Sequence, residues 1–197
     1  MCLGLLSIDD DTIRTVLSDP PLIWKLIAPD DQDVYAAERA DRKSSWFSKV
    51  FGQKSPPATI TETIGKPVED IDIDKSWNGI HYLLTKTSLA GDPPLNFLIL
   101  GGVEVGEIDV GYGPARAITS DQVAEIHVAI GKIDIDELRR RYDPRDMLLQ
   151  EVYPEIWEDD ATEEDGSFSY CSEYFVDLKN FIRRAAENRL GIIIHLS

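Results

Sequence analysis

Cysteine is scarce in this sequence, with only Cys2 and Cys171 among 197 residues. Two cysteines so far apart exclude a disulfide framework and the usual ligand spacing of a zinc site. The N-terminal stretch MCLGLLSIDDD is apolar for only a few residues and has no basic start. We therefore expect neither a signal peptide nor a membrane span, and a location in the reducing cytoplasm.

Basic residues are also few, since 20 Lys and Arg face 36 Asp and Glu, for a net charge of −16. A chain of this charge is not expected to bind nucleic acid, because phosphate neutralisation requires a basic face. An anionic membrane would repel it as well, whereas a basic partner would be steered towards it. The length and the hydrophobic fraction of 43% fit a single domain over residues 1–197.

Recognisable metal and cofactor motifs are missing. Asp70, Asp72 and Asp74 repeat at the spacing that begins a calcium loop. Lys75 then stands where that loop needs glycine, and His81 stands where it needs glutamate. The stretch GGVEVG at 101–106 lacks the following helix and the Lys-Ser/Thr pair of a phosphate loop. The sequence predicts no metal and no cofactor.

The hydrophobic pattern predicts an α/β protein in which a small mixed sheet is covered by helices on two faces. The predicted strands lie at residues 2–8, 95–100, 103–118 and 191–196. Helix starts are predicted from side chains that can accept backbone N–H groups, namely one of Asp9 to Asp11, and Asp74, Thr119, Asp134 and Asp143. Gly191 is predicted to end the last helix.

Two segments have unusual composition. Residues 30–61 are predicted to form a flexible insertion, within which residues 42–61 hold four basic residues and no acid. That part also carries a short amphipathic set: Trp46, Phe47, Val50 and Phe51. It is either a docking element for a partner or membrane surface, or a lid that packs on its own domain. Residues 158–165 hold six acids in eight positions and are predicted to form a solvated loop.

The stretch WNGIHYLL at 77–84 carries the first candidate functional residues. Trp77 and His81 share one face of the predicted helix, and Gly79 inside it indicates close approach by another backbone. His81 is either a general acid/base in a cleft or a core histidine bonded to the backbone. His127 and His195 have the positions of structural residues.

The stretch DVGYGPAR supplies the remaining candidates. Gly111, Gly113 and Pro114 predict a tight turn that brings Tyr112 near Arg116. Arg116 either clamps a carboxylate or phosphate, or pairs with one of the many acids. The predicted ligand-binding set is His81, Tyr112, Arg116, Trp77 and Trp157. Cys171, placed by the pattern just before a helix start, has no base partner in sequence.

Several motifs together resemble the YfbM-like family, a group of uncharacterised bacterial proteins treated as a domain of unknown function. They are D-K-x-W-x-G-I-H-x-L-L-T at 74–85, P-L-x-F-x-I-L-G-G at 94–102, D-V-G-Y-G-P-A-R at 109–116 and Y-P-x-I-W at 153–157. An E-Y-F in the last helix and a terminal strand ending in Leu-Ser complete the set. The resemblance spans nearly the whole chain and implies a three-layer α/β/α sandwich. It implies no activity.

Two hypotheses about function follow. The first is a cytoplasmic interaction protein whose acidic surface binds a basic protein, as an inhibitor or immunity factor would, in a monomer or weak homodimer. The second is a small-molecule-binding domain or enzyme that uses a cleft formed by His81, Tyr112 and Arg116. A concave pocket holding these residues would favour the second hypothesis, and a flat acidic face without one would favour the first.

Overall fold

The computed structural model describes residues 1–31, 33–38, 64–157 and 166–197. Most of the predicted insertion at 30–61 and the whole acidic segment 158–165 lie outside these residues. The strands are β1 (Leu3–Ile8), β2 (Glu69–Asp72), β3 (Val103–Asp109), β4 (Pro114–Ile118) and β5 (Gly191–Leu196). The first helices are α1 (Asp10–Ser18), α2 (Trp24–Ile27) and α3 (residues 33–38). The later helices are α4 (Trp77–Thr85), α5 (Phe97–Leu100), α6 (Ser120–Gly131), α7 (Ile135–Arg141), α8 (Pro144–Leu149) and α9 (Ser167–Glu187).

The strands form one sheet in the order β2-β1-β5-β4-β3. The terminal strand β5 lies in its centre, as its apolar sequence predicted. Leu5 of β1 and Arg116 of β4 both lie opposite Ile194 of β5. Each pairing among the described strands is antiparallel, so the expected mixed sheet is wrong in this respect. The fold is a helix-rich α/β arrangement.

Side-chain alternation along β5 separates two hydrophobic cores. Ile192 and Ile194 belong to the core that includes residues of α4, α6 and α9. Ile193 belongs to the core formed with α1, α2 and the 3₁₀ turn at Pro20–Ile23. Successive side chains of a strand point to opposite faces, so the two cores lie on opposite sides of the sheet.

Four predicted helix starts are confirmed by side-chain caps. The carboxylate of Asp9 accepts the Thr12 N–H at 2.8 Å, and α6 begins with a full capping box between Thr119 and Gln122. Asp134 and Asp143 cap α7 and α8 in the same way. Each cap satisfies a backbone donor that has no partner inside the helix.

Asp74 is not the predicted cap of α4. It opens a 3₁₀ turn, Asp74–Ser76, with a left-handed φ of 47°, and α4 begins without a side-chain cap. Its carboxylate instead accepts hydrogen bonds from the Tyr170 hydroxyl at 2.8 Å and the Cys2 thiol at 3.2 Å. These tertiary contacts hold the pKa of Asp74 below its usual value. The residue therefore ties α9 to the start of β1.

Two further predictions about elements are wrong. The apolar run at 95–100 forms the short helix α5 and its preceding turn, not a central strand. Gly191 does not end α9, which closes at Asn188, but is the first residue of β5. A Cβ at Gly191 would lie 2.5 Å from the Ile118 carbonyl oxygen, so this glycine permits close packing of β5 on β4.

Candidate ligand-binding cavity

A cavity of about 220 Å³ lies where one end of β4 and β5 meets α4 and α5. Three of the predicted ligand-binding residues, Trp77, Tyr112 and Arg116, line it together. Most of its wall is apolar and comes from Leu3, Leu98, Ile99, Pro114, Ile194 and Leu196. The sheet and two helices therefore enclose a small space whose polar chemistry is confined to a few side chains.

Arg116 reaches this cavity from β4. Its Nη1 donates to the carbonyl oxygens of Phe97 at 3.1 Å and Gly101 at 2.6 Å, and its Nη2 donates to that of Leu98. These carbonyls lie in and just after α5. The Phe97 carbonyl also accepts the Gly101 N–H at 3.2 Å, and the guanidinium supplies donors to the carbonyls of Leu98 and Gly101. Burial lowers the pKa of Arg116 to about 10, and the group remains charged at neutral pH. Among the described residues, no carboxylate forms an ion pair with it.

Tyr112 stands at the mouth of the cavity on the turn between β3 and β4. The Asp109 carboxylate accepts the N–H groups of Gly111 at 2.9 Å and Gly113 at 3.0 Å, and these two bonds lower the pKa of Asp109. The Tyr112 N–H donates to the Leu196 carbonyl at 3.0 Å, which joins the turn to β5. The Tyr112 side chain stays 60% exposed. The tight turn predicted here is confirmed.

Trp77 forms the wall of the cavity that α4 contributes. Its indole is buried and stacks on Tyr153 with ring centroids 5.8 Å apart. The indole Nε1 is buried and has no hydrogen-bond partner among the described residues. Because this atom has almost no accessible surface, a ligand would contact the ring and not the N–H.

His81 lies in the core and does not line the cavity. Its side chain is 0% exposed, and Nε2 lies 2.8 Å from the Ala90 carbonyl oxygen. A carbonyl only accepts, so Nε2 carries the proton and Nδ1, which has no partner among the described residues, is a buried acceptor. Burial, and secondarily the charge of Arg116, lower the pKa of His81. Of the two alternatives for His81, the structure shows the backbone-bonded core residue.

Trp157 and Cys171 also lie away from the cavity. The Trp157 indole donates to the Val152 carbonyl at 2.6 Å and packs over Gly79, where Cys171 approaches from α9. Cys171 is inside α9 and not before its start, and burial raises the pKa of its thiol. Gly79 therefore makes room for two side chains, and not for the backbone that the sequence predicted there.

His195 borders the cavity, but its imidazole lies on the other face of the sheet. Gly4 stands directly opposite it on β1, and a Cβ at Gly4 would overlap the imidazole. Residues paired across two strands point to the same face of the sheet, and neighbours along a strand point to opposite faces. His195 and Gly4 therefore lie on the face opposite to Ile194 and Arg116. Burial lowers the pKa of His195, while the charge of Asp72 raises it less. The structural role predicted for His195 agrees with this position.

The apolar wall was not recognised in the sequence. The pattern predicts a buried strand for Ile194 and Leu196, but it does not indicate that a cavity forms beside them. The alternation of Ile192, Ile194 and Leu196 was the available signal that they share one face. The role of Leu98 and Ile99 in the cavity wall is not predictable from the sequence, because the pattern at 95–100 predicts a strand where the structure has α5.

The structure describes a helix-rich α/β protein with an antiparallel five-stranded sheet and a small, largely apolar cavity at one end. The chain belongs to the family described as a domain of unknown function, DUF1877, which matches residues 1–195. The family resemblance inferred from the sequence motifs is confirmed by this match.

The fold is shared with a solved structure, that of YfbM from Escherichia coli, described as a protein of unknown function. The two are 18% identical and superpose with a TM-score of 0.63, and the match covers 98% of each chain. Identity this low shows a common fold and nothing about a ligand. A comparison with curated proteins found no match.

Two further observations concern the described part of the chain. No helix there is long and apolar enough to cross a membrane. No group of three or more His, Cys, Asp or Glu side chains there is arranged to hold a metal ion.

Proposed function

We propose that this protein binds a compact small molecule in the cavity beside Arg116. The observation that carries the proposal is the partly open, largely apolar cavity of about 220 Å³ to which the fold brings Trp77, Tyr112 and Arg116. Small-molecule sites are typically concave and mostly apolar, with a few polar groups that orient the ligand. The volume is below the range of about 300–1,000 Å³ that is typical of drug-sized ligands, so the ligand is small.

Binding is proposed here in preference to catalysis. His81, the candidate acid or base, is sealed in the core, and its pKa is lowered by burial. Cys171 is buried in α9, where burial raises its thiol pKa. A nucleophile needs a base within hydrogen-bond reach, and the described residues that line the cavity include no such pair. The cleft proposed for His81, Tyr112 and Arg116 is therefore retained without His81.

A fragment screen followed by two-dimensional NMR tests the proposal. Ligands of the cavity should shift the indole signal of Trp77 and the backbone signals of residues 111–113. Ile99→Phe should weaken binding at least about tenfold, because the partly buried Ile99 lines the cavity and the larger ring would fill it. Leu149→Phe is the control, since Leu149 is 82% exposed and outside the cavity. Hits whose shifts map elsewhere, or equal binding by both variants, would refute the site.

A second candidate function is binding of a basic protein by the acidic surface. The observation that favours it is a set of carboxylates beside a tyrosine pair on α9. Tyr170 and Tyr174 contact each other with ring centroids 5.1 Å apart. Burial raises the pKa of Tyr174, and the charges of Asp74, Asp72 and Asp177 raise it further. Carboxylates around half-buried tyrosine rings suit Lys and Arg side chains, which pair with the carboxylates and lie over ring faces.

Titration with a lysine-rich peptide tests this second candidate. The proposal expects binding at low salt that weakens steeply at about 0.15 M salt, and expects the double change Asp72→Asn, Asp177→Asn to weaken it. Equal binding by the double variant would place the contact elsewhere. A cytoplasmic location is part of the same proposal and is supported by the two free cysteines, Cys2 and Cys171.

A further inference from the structure

Unlike five other arginines of this acidic protein, Arg116 forms no ion pair with a carboxylate among the described residues. Ion pairs with Asp or Glu are formed by Arg14, Arg140, Arg141, Arg183 and Arg184. The residue opposite Arg116 on β3 is Glu104, which is exposed and forms no ion pair with it, although its charge partly opposes the lowering of the Arg116 pKa by burial. A charge surrounded mainly by carbonyl oxygens and apolar side chains is only partly compensated.

The guanidinium also retains hydrogen-bonding capacity. It carries five N–H groups, and three of them are used by carbonyl oxygens in and after α5. Among the described residues, the Nε–H group donates to no acceptor, and the Arg116 side chain is only partly buried. The charged group that lines the cavity can therefore donate to a ligand without releasing α5.

The rest of the wall limits the ligand to one chemical class. Among the residues that the structure describes, no Asp or Glu lines the cavity, and the surrounding surface is mainly aliphatic. A strongly hydrated dianion such as phosphate would lose its water against such a wall without enough replacement donors. A planar carboxylate attached to a small apolar body satisfies the arginine and fills the apolar space.

We infer that the ligand of this cavity is a compact apolar monocarboxylate whose carboxylate binds Arg116 and whose body packs against Leu98, Ile99 and Ile194. The inference rests on the proposed function and specifies its ligand class. Trp77 supplies a flat wall for the body of the ligand, and Tyr112 stands where the ligand enters.

Three test ligands distinguish a preference for carboxylates from binding of small molecules in general. They are sodium benzoate, benzyl alcohol and inorganic phosphate, each added to the intact chain. Followed by NMR at neutral pH, benzoate should bind about tenfold or more tightly than benzyl alcohol, because a hydrogen bond to a charged group is lost in the alcohol. Phosphate should not bind in the cavity. Equal affinity for benzoate and benzyl alcohol would overturn the carboxylate inference and leave the small-molecule cavity standing. No binding of either would count against both.

A pair of variants assigns the preference to Arg116. In Arg116→Gln, benzoate and benzyl alcohol should bind with equal affinity, whatever the effect of the change on the affinity for the alcohol itself. Arg141→Gln is a matched control: Arg141 also donates to backbone carbonyls, at the end of α4, but pairs with Glu137 and does not line the cavity. A benzoate preference that survives in folded Arg116→Gln would overturn the role of Arg116. Should that variant unfold, the comparison of acid and alcohol on the wild-type chain still decides the ligand class.

Discussion

Gly79 shows how one residue can be helix-breaking in isolation and necessary in context. Glycine inside a helix destabilises it by about 1 kcal/mol relative to alanine. A Cβ at this position would overlap the Trp157 ring and lie 2.7 Å from the Cys171 sulfur. The missing side chain allows α4 and α9 to approach each other with the indole between them.

Gly79→Ala should lower the free energy of unfolding by about 1–3 kcal/mol, because the overlap outweighs the gain in helix propensity. Chemical denaturation followed by circular dichroism measures it. Gly131→Ala is the matched control: this glycine also lies in a helix, α6, and has nothing within 4 Å of its added Cβ. The control should be unchanged or more stable by up to about 1 kcal/mol. A stabilised Gly79→Ala would show that the helices do not pack closely here.

His81 makes stability depend on pH. Its pKa is lowered from 6.5 in the folded protein, so the unfolded chain binds more protons once the pH falls below that value. The free energy of unfolding should therefore decrease as the pH falls through 6.5. His195, whose pKa is also lowered, contributes in the same direction.

NMR titration of the imidazole signals measures this effect directly. The His81 signals should not shift between about pH 8 and pH 6.5, where an exposed histidine begins to titrate. His81→Gln removes the titrating group, so its melting temperature should fall less steeply with decreasing pH than that of the wild type. A His81 signal with a midpoint near 6.5 would contradict the buried, neutral state.

At the scale of elements, α5 depends on a residue distant in sequence. Its four residues, Phe97–Leu100, are too few for a helix to be stable through its own hydrogen bonds. Arg116, on β4, stabilises α5 by donating hydrogen bonds to carbonyl oxygens in the helix and just after it. The helix is thus a product of tertiary contacts.

Arg116→Lys should reduce the free energy of unfolding by about 1–3 kcal/mol, because a lysine ammonium cannot reproduce the planar fork and leaves buried carbonyls unsatisfied. Thermal and urea denaturation test it. In the control, Arg183→Lys, the exposed pair with Glu187 on α9 is altered, and a change below about 0.5 kcal/mol is expected. Similar small effects in both variants would mean that the carbonyls find other partners.

Elements that depend on local contacts are predictable from the sequence, whereas α5, which depends on a distant residue, is not. Thr119, Asp134 and Asp143 act through donors only a few residues away, so their caps were readable in the sequence. The strand predicted at 95–100 was wrong because a short apolar run fits a strand and a buried helix equally well. The deciding contact comes from Arg116, and no local pattern contains it. Similarly, Asp74 was assigned to a local cap because its partners, Tyr170 and Cys2, lie far along the chain.

For the candidate site, the sequence placed Tyr112 and Arg116 together because one tight turn joins them. It also placed Trp77 and His81 on one helix face, but only Trp77 lines the cavity. The carbonyl of Ala90, nine residues after His81, closes over the imidazole. Helical spacing shows that two residues are neighbours on one face. It does not show which of the two a later loop covers.

At the scale of the whole molecule, the charge of −16 should weaken the folded state by self-repulsion. Salt screens this repulsion over a Debye length of about 10 Å at 0.1 M. The melting temperature should therefore rise by a few degrees between low salt and about 0.3 M sodium chloride, equivalent to roughly 1 kcal/mol for a chain of this size. Differential scanning calorimetry measures the rise.

A charge-reduced variant tests whether repulsion is the cause. Asp70→Asn, Glu107→Gln and Glu125→Gln change exposed side chains that form no ion pair with another described residue, and these three neutralisations move the net charge from −16 to −13. This variant should melt higher than the wild type at low salt and respond less to sodium chloride. If both proteins respond equally to salt, the effect arises from preferential exclusion at the surface, and the surplus of acids does not limit stability. In that case, the acidic surface is tolerated at no measurable cost, and only its interaction with a basic partner would remain to explain it.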